Sequence, residues 1–138
     1  MLQIHSYWAY LVLLVLILAV GNSLLGLVKK KSFTDKDLRL ALFTLILSHF
    51  QLLIGFVVYF NQGWHKNIGA MMSDSAGRLL ALEHPLTMII AIALITIGWS
   101  KHKKKTEDAA KFKTIFTFYA IALFLILLRI PWSNWFDF

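Results

Sequence analysis

The chain has no cysteine, and that absence closes several routes at once. A disulfide framework, a thiolate metal site and a cysteine nucleophile all need the residue that is missing. Proline is nearly absent too, with Pro85 and Pro131 the only 2 in the chain. Charge is scarce: 15% of the residues are Asp, Glu, Lys or Arg, where soluble domains carry about 25%. Acidic groups are scarcer still, 7 against 14 basic ones, which leaves a net charge of +7. There is no phosphate-cradling glycine loop, no helical H-E-x-x-H pair and no serine-hydrolase elbow. A nucleotide-driven enzyme or a conventional hydrolase is therefore not expected, and no residue is assigned as catalytic.

What the chain has instead is hydrocarbon. Its residues are 59% hydrophobic, its mean hydropathy is +0.69, and it holds 11 Phe and 5 Trp. Crossing roughly 30 Å of hydrocarbon as a helix takes about 20 apolar residues. The apolar runs 7–28, 38–60, 77–100 and 112–130 are each of that order. Backbone in lipid must satisfy its own hydrogen bonds, and nothing alternates with the period of a barrel strand, so the spans are predicted to be helices. The expected fold is all-α: one transmembrane domain over residues 1–138, an antiparallel four-helix bundle. The start, "MLQIHSYWAY", has neither the basic residues nor the cleavage site of a secretory signal, so the first run is expected to stay as a span.

The lysines carry orientation. "KKKSFTDKDLR" holds Lys29, Lys30, Lys31, Lys36 and Arg39, and "KHKKKTEDAAKFK" holds Lys101, Lys103, Lys104, Lys105, Lys111 and Lys113. By the positive-inside rule, loops 29–39 and 101–113 face the cytoplasm. Both termini and the loop 61–77 then lie on the non-cytoplasmic side of a bacterial inner membrane. Flanking lysines of this kind explain the basic charge without nucleic acid, and the expected partner is the lipid bilayer.

Local signals refine the helices. Ser73 or Asp74 is placed to cap the third one. Pro85 removes a helix hydrogen bond and frees the carbonyl of Ala81, so a kink is expected just before it. Pro131 ends the fourth helix, and "WSNWFDF" follows as an interfacial aromatic tail.

Within the spans the ionisable groups are few. Each costs at least about 2.5–3.5 kcal/mol near the bilayer centre, so they are expected to face the bundle interior. His49, in "LILSHFQLLIG", is expected there near mid-membrane. One reading makes it an axial ligand of a b-type haem, since neutral imidazole binds iron well. His84 is then the second iron ligand, or Met88 in its place. Helical rise puts His49 roughly 15 Å, His84 roughly 25 Å and Met88 roughly 20 Å from the basic side. A His49–His84 pair thus needs about 10 Å of correction by tilt or kink. The rival reading is an interhelical hydrogen bond from His49 to Asn22 or Thr87.

A second group, Glu83, Arg129, Arg78 and His5, shares the outer third of the bundle. It reads as a clamp built on a Glu83–Arg129 ion pair, or as a site for a quinone head group or a proton. Asn22, Ser48, Gln51 and Gly55 read as helix-packing positions, as do Gly21, Ser23 and Gly26. His102 sits in a lysine run and is expected to face solvent or lipid, and His65 alone makes no metal site.

The pieces "LFTLILSHFQLLIGFVVYF", "RLLALEHPLTM", "ALITIGWSKHKKK" and "IPW" occur in an order that resembles a family of short bacterial four-span membrane proteins loosely labelled "cytochrome B". The resemblance covers nearly the whole chain. His49, Gln51, Gly55, Tyr59, Arg78, Glu83, His84, Met88, Pro131 and Trp132 match its motif positions, while Pro85, Trp99 and the lack of an Arg after His5 depart from them. It implies a small haem-b electron-transfer protein. The alternative is a non-catalytic subunit of a homo-oligomer or larger membrane complex, with its buried His, Glu and Arg groups structural.

Overall fold

The computed structural model describes residues 2–132. Most of the aromatic tail expected after Pro131 lies outside them. All regular structure among the described residues is helical. Four helices are long and apolar enough to cross a membrane: α1 (Leu2–Val28), α2 (Asp35–Asn61), α3 (Ser75–Lys103) and α4 (Asp108–Arg129). Each reaches past at least one end of the predicted run, because the polar flanks continue the helix instead of breaking it.

The caps explain where α2 and α3 begin. The Asp37 carboxylate accepts from the Thr34 N–H at 2.8 Å and from the Thr34 hydroxyl at 3.0 Å. It also accepts from Asn22 Nδ2 at 2.7 Å, which ties the end of α1 to the start of α2. Asp74 caps α3 by accepting from the Gly77 N–H at 2.6 Å, as the sequence led us to expect. Gly77 has no room for a side chain: a Cβ there would collide with the Met71 carbonyl.

The helices form a square, with α1 beside α2 and α4, and α3 beside α4 and α2. Leu16, Ile95, Ile115 and Tyr119 fill its axis and are fully buried. The outer surface is the reverse of a soluble protein's: Leu53, Phe124 and many other large apolar side chains are exposed. Contiguous apolar surface on this scale belongs in lipid. The protein is a multi-pass, all-α membrane bundle.

Two glycines of the basic half allow close packing. A Cβ on Gly26 would lie 2.5 Å from the Phe112 ring, and one on Gly98 would lie 2.5 Å from Phe118 Cβ. Gly21, expected to pack likewise, meets nothing within 4 Å. His102 also departs from expectation. It is 1% exposed, with Nδ1 on the Trp99 carbonyl at 2.5 Å and the rings of Trp99 and Phe33 against it at 4.6 and 5.5 Å. Position in a lysine run misleads here because the rings of Trp99 and Phe33 cover the imidazole, and the lysine ammoniums stand over those rings, Lys111 over Phe33 at 5.5 Å and Lys103 over Trp99 at 5.8 Å.

Candidate functional site

Pro85 shapes the site. Without an N–H it cannot bond to the Ala81 carbonyl one turn back, and its ring crowds that turn. The helix responds with a π-helical segment, Leu79–Glu83, in which the His84 N–H reaches the Leu79 carbonyl. Such single-turn π segments often mark functional sites. The released Ala81 carbonyl takes the Tyr59 hydroxyl at 2.7 Å. The carbonyl was foreseeable from the sequence; Tyr59 as its donor was not, since only the fold sets that face of α2 against α3.

Beside this segment, in the half of the bundle away from the basic loops, all four helices surround a cavity of about 280 Å³. That is close to the lower end of small-molecule pockets, which run from about 300 to 1,000 Å³. Its walls are mostly apolar, including Val12, Leu52, Met88 and Ile92, with Phe56 and Trp64 toward one end of α2.

Its polar groups are few and share one feature. Gln51 donates from Nε2 to the His5 carbonyl at 2.8 Å, which leaves Oε1 as a buried acceptor without a partner. Ser48, 1% exposed, has no partner for its hydroxyl, and Nδ1 of His5 has none either. His84, also in the wall, sets its Nδ1 2.8 Å from the Arg129 carbonyl. That bond puts the proton on Nδ1 and leaves a lone pair on Nε2. The rings of His5 and His84 approach to 6.2 Å between centroids, nearly perpendicular at 83°. Gly55 permits the approach of α1, since even a Cβ there would stand 3.3 Å from the His5 ring.

His49 is not in this cavity. Its ring is exposed on the outer seam between α2 and α3. Nδ1 bonds to the Leu45 carbonyl at 2.7 Å, and Nε2 lies 3.3 Å from the Thr96 hydroxyl. The rival reading had foreseen an interhelical bond, but to Asn22 or Thr87; Asn22 belongs to Asp37 instead. Thr96 stands twelve residues along α3 from His84, roughly 18 Å. The mismatch exceeds the expected 10 Å because Arg39 and Lys101 are not level: with His49 level with Thr96, Arg39 lies ten residues and Lys101 five residues toward the basic side, an offset of about one and a half turns. The expected iron ligands therefore do not fit a haem. His49 faces outward, with Nδ1 bonded to the Leu45 carbonyl and Nε2 beside a Thr96 hydroxyl that donates to the Ile92 carbonyl, while His84 and Met88 line the cavity.

The outer polar cluster also divides. Glu83 and Arg129 border a shallow groove but make no ion pair within 4 Å. Arg129 turns its guanidinium to the Leu128 carbonyl at 3.1 Å, and Arg78 donates to the Met72 carbonyl at 3.1 Å. The hydrogen bond that joins α3 to α4 here runs from the His84 ring to the Arg129 carbonyl. His5 leaves the cluster for the cavity. Among the described residues no group of three or more His, Cys, Asp or Glu is placed to hold a metal ion.

Of the positions read as helix-packing, Gly55 lies against the His5 ring of α1 and Asn22 bonds to Asp37 of α2. Ser48 and Gln51 turned out to line the cavity with spare polar atoms. His5 was placed with the outer polar cluster and Tyr59 only among the positions of the resemblance; neither was expected to meet the partners it has here.

The chain matches no family model, no curated protein and no solved structure.

Proposed function

We propose that this is a ligand-binding membrane protein, whose bundle cavity receives a small, largely apolar molecule by its polar end. One observation carries the reading: buried polar atoms of His5, Ser48 and Gln51 that make no well-formed hydrogen bond border one apolar cavity, with the His5 ring and the Gln51 side chain near enough to interact with each other. Buried polar groups are paired in the great majority of cases, and each one left alone costs about 1–3 kcal/mol. A cluster of them beside a void is economically explained by a guest that completes their bonds. On this reading His84 and Gln51 orient the guest, the apolar walls hold its body, and the Tyr59–Ala81 bond keeps the π segment of α3 in shape. The basic loops 29–39 and 101–113 support a cytoplasmic-side assignment in a bacterial inner membrane, with the cavity in the opposite leaflet.

The test is photolabelling in nanodiscs with a short apolar diazirine. Label should concentrate on Met88 and Leu52 over the lipid-facing Phe124, and Ala9→Trp, which fills the cavity, should abolish the excess. Uniform labelling of lipid-facing and cavity residues would overturn the reading.

A second reading, an accessory subunit of a membrane complex, is favoured by His49. An exposed imidazole on a lipid-facing seam costs free energy that contact with another transmembrane helix would recover. Native mass spectrometry from mild detergent should then show an assembly that His49→Leu weakens; a monomer throughout would sink this reading.

A further inference from the structure

The shape of the cavity wall bears on how a guest lies in it. This inference rests on the cavity being a ligand site. Three of the four seams around it are closed. Between α1 and α2, Gln51 donates to the His5 carbonyl at 2.8 Å, the Trp8 indole donates to the Leu47 carbonyl at 2.9 Å, and Gly55 lets the His5 ring lie against α2. Between α3 and α4, the His84 ring bonds to the Arg129 carbonyl at 2.8 Å. Between α4 and α1, Ile126, Ile130 and Val12 stand buried.

The fourth seam differs. α2 packs less extensively on α3 than on α1, and α3 less extensively on α2 than on α4. Polar groups meet across this seam at two levels, the Tyr59 hydroxyl with the Ala81 carbonyl at 2.7 Å and His49 with the Thr96 hydroxyl at 3.3 Å. Ten residues of α2 separate the two levels, roughly 15 Å. Over that length Leu52 and Phe56 of α2 and Pro85 and Met88 of α3 border the cavity, and all four side chains are apolar. Phe56 is 37% exposed, so one side chain touches both the cavity and the lipid. Among the described residues that border the cavity, the other exposed one is Leu2, which stands at the end of the bundle rather than on its flank.

A molecule dissolved in the membrane thus has hydrocarbon on one side of Phe56 and the apolar cavity on the other. A tail longer than the cavity finds an apolar path across this seam. No Asp, Glu, Lys or Arg is among the described residues that border the cavity, so a charged head would be buried there without a fixed counter-charge. We propose that the guest is a single-chain amphiphile with an uncharged polar head, which lies among His5, Ser48, Gln51 and His84 while the tail leaves between α2 and α3 beside Phe56.

Two hexadecanols test this on the full chain in nanodiscs, one with a diazirine next to the hydroxyl and one with it midway along the chain. The head-end probe should label Leu52 and Met88. The mid-chain probe should label Phe56 above Leu14 and Phe124, both of which are more exposed, so that labelling from bulk lipid would fall in the opposite order. Unlabelled hexadecanol should compete for both signals, and hexadecyl sulfate and hexadecyltrimethylammonium should compete at least about tenfold less well. Mid-chain label that follows exposure, or that gathers at Leu2, would overturn the path between α2 and α3. Equal competition by a charged probe would overturn the uncharged head. In either case head-end label on Leu52 and Met88 leaves the ligand cavity in place, and loss of that label from both residues would remove the cavity reading itself.

Discussion

At Tyr59 a single hydroxyl answers a cost imposed 26 residues later by Pro85. A freed carbonyl inside a membrane has no water to turn to, so a side-chain donor is worth keeping. Tyr59→Phe should destabilise the protein by about 1 kcal/mol, read as a lower midpoint of denaturation in mixed micelles. The same substitution made on Pro85→Ala should cost less, since the backbone N–H restored by that change would then compete for the carbonyl; equal costs in both backgrounds would break the link. His49 makes the opposite case, a conspicuous residue away from the cavity. His49→Leu should leave the reduced-minus-oxidised optical spectrum of the purified protein unchanged. A Soret band in the parent that vanished with His49 would restore the haem-ligand assignment.

Between elements, spacing of small residues matters only where a neighbour arrives. Gly21 and Gly26 lie on the same helix, yet only Gly26 has the Phe112 ring above it. Gly26→Ala should cost about 1–3 kcal/mol through overpacking. Gly21→Ala should stabilise α1 by up to about 0.5–1 kcal/mol, the helix-propensity gain of losing glycine. Denaturation curves of the two variants should therefore shift in opposite directions. The end of α1 shows a further local device. Lys30 adopts a left-handed φ of 54°, and the Lys31 N–H closes back onto the Gly26 carbonyl at 3.0 Å. Glycine is the usual residue in that position. Lys30 holds it at a cost, and its charge belongs to the basic loop 29–39.

For the whole molecule, the two basic loops lie at one end of the square and the cavity at the other. A chain without cysteine makes their sidedness easy to measure, since an introduced thiol is the only one. In intact cells an impermeant maleimide should label Lys66→Cys and spare Lys104→Cys until the membrane is opened. Labelling of Lys104→Cys alone would invert the orientation and move the cavity to the cytoplasmic leaflet.

Legibility in the sequence followed the range of the physics involved. Span number, helicity and the Asp74 cap come from hydropathy and from contacts within a few residues, and so does the carbonyl released by Pro85. His102, His49 and the Glu83–Arg129 pair were misjudged because their surroundings come from other helices. The axial offset of α2 against the end of α3 set His49 level with Thr96, and the rotation of α2 turned it to the outer seam. The rotation of α1 placed His5 over Gly55 and beside His84.

The amino-acid sequence by itself determined that this chain folds as membrane-spanning helices, because a long apolar run in lipid has no other way to pair its backbone. Only the tertiary structure decided which polar side chains meet. Rotation and axial offset of one helix against another, set by the sum of many weak contacts, put Gln51, Ser48, His5 and His84 around one space and left His49 outside it.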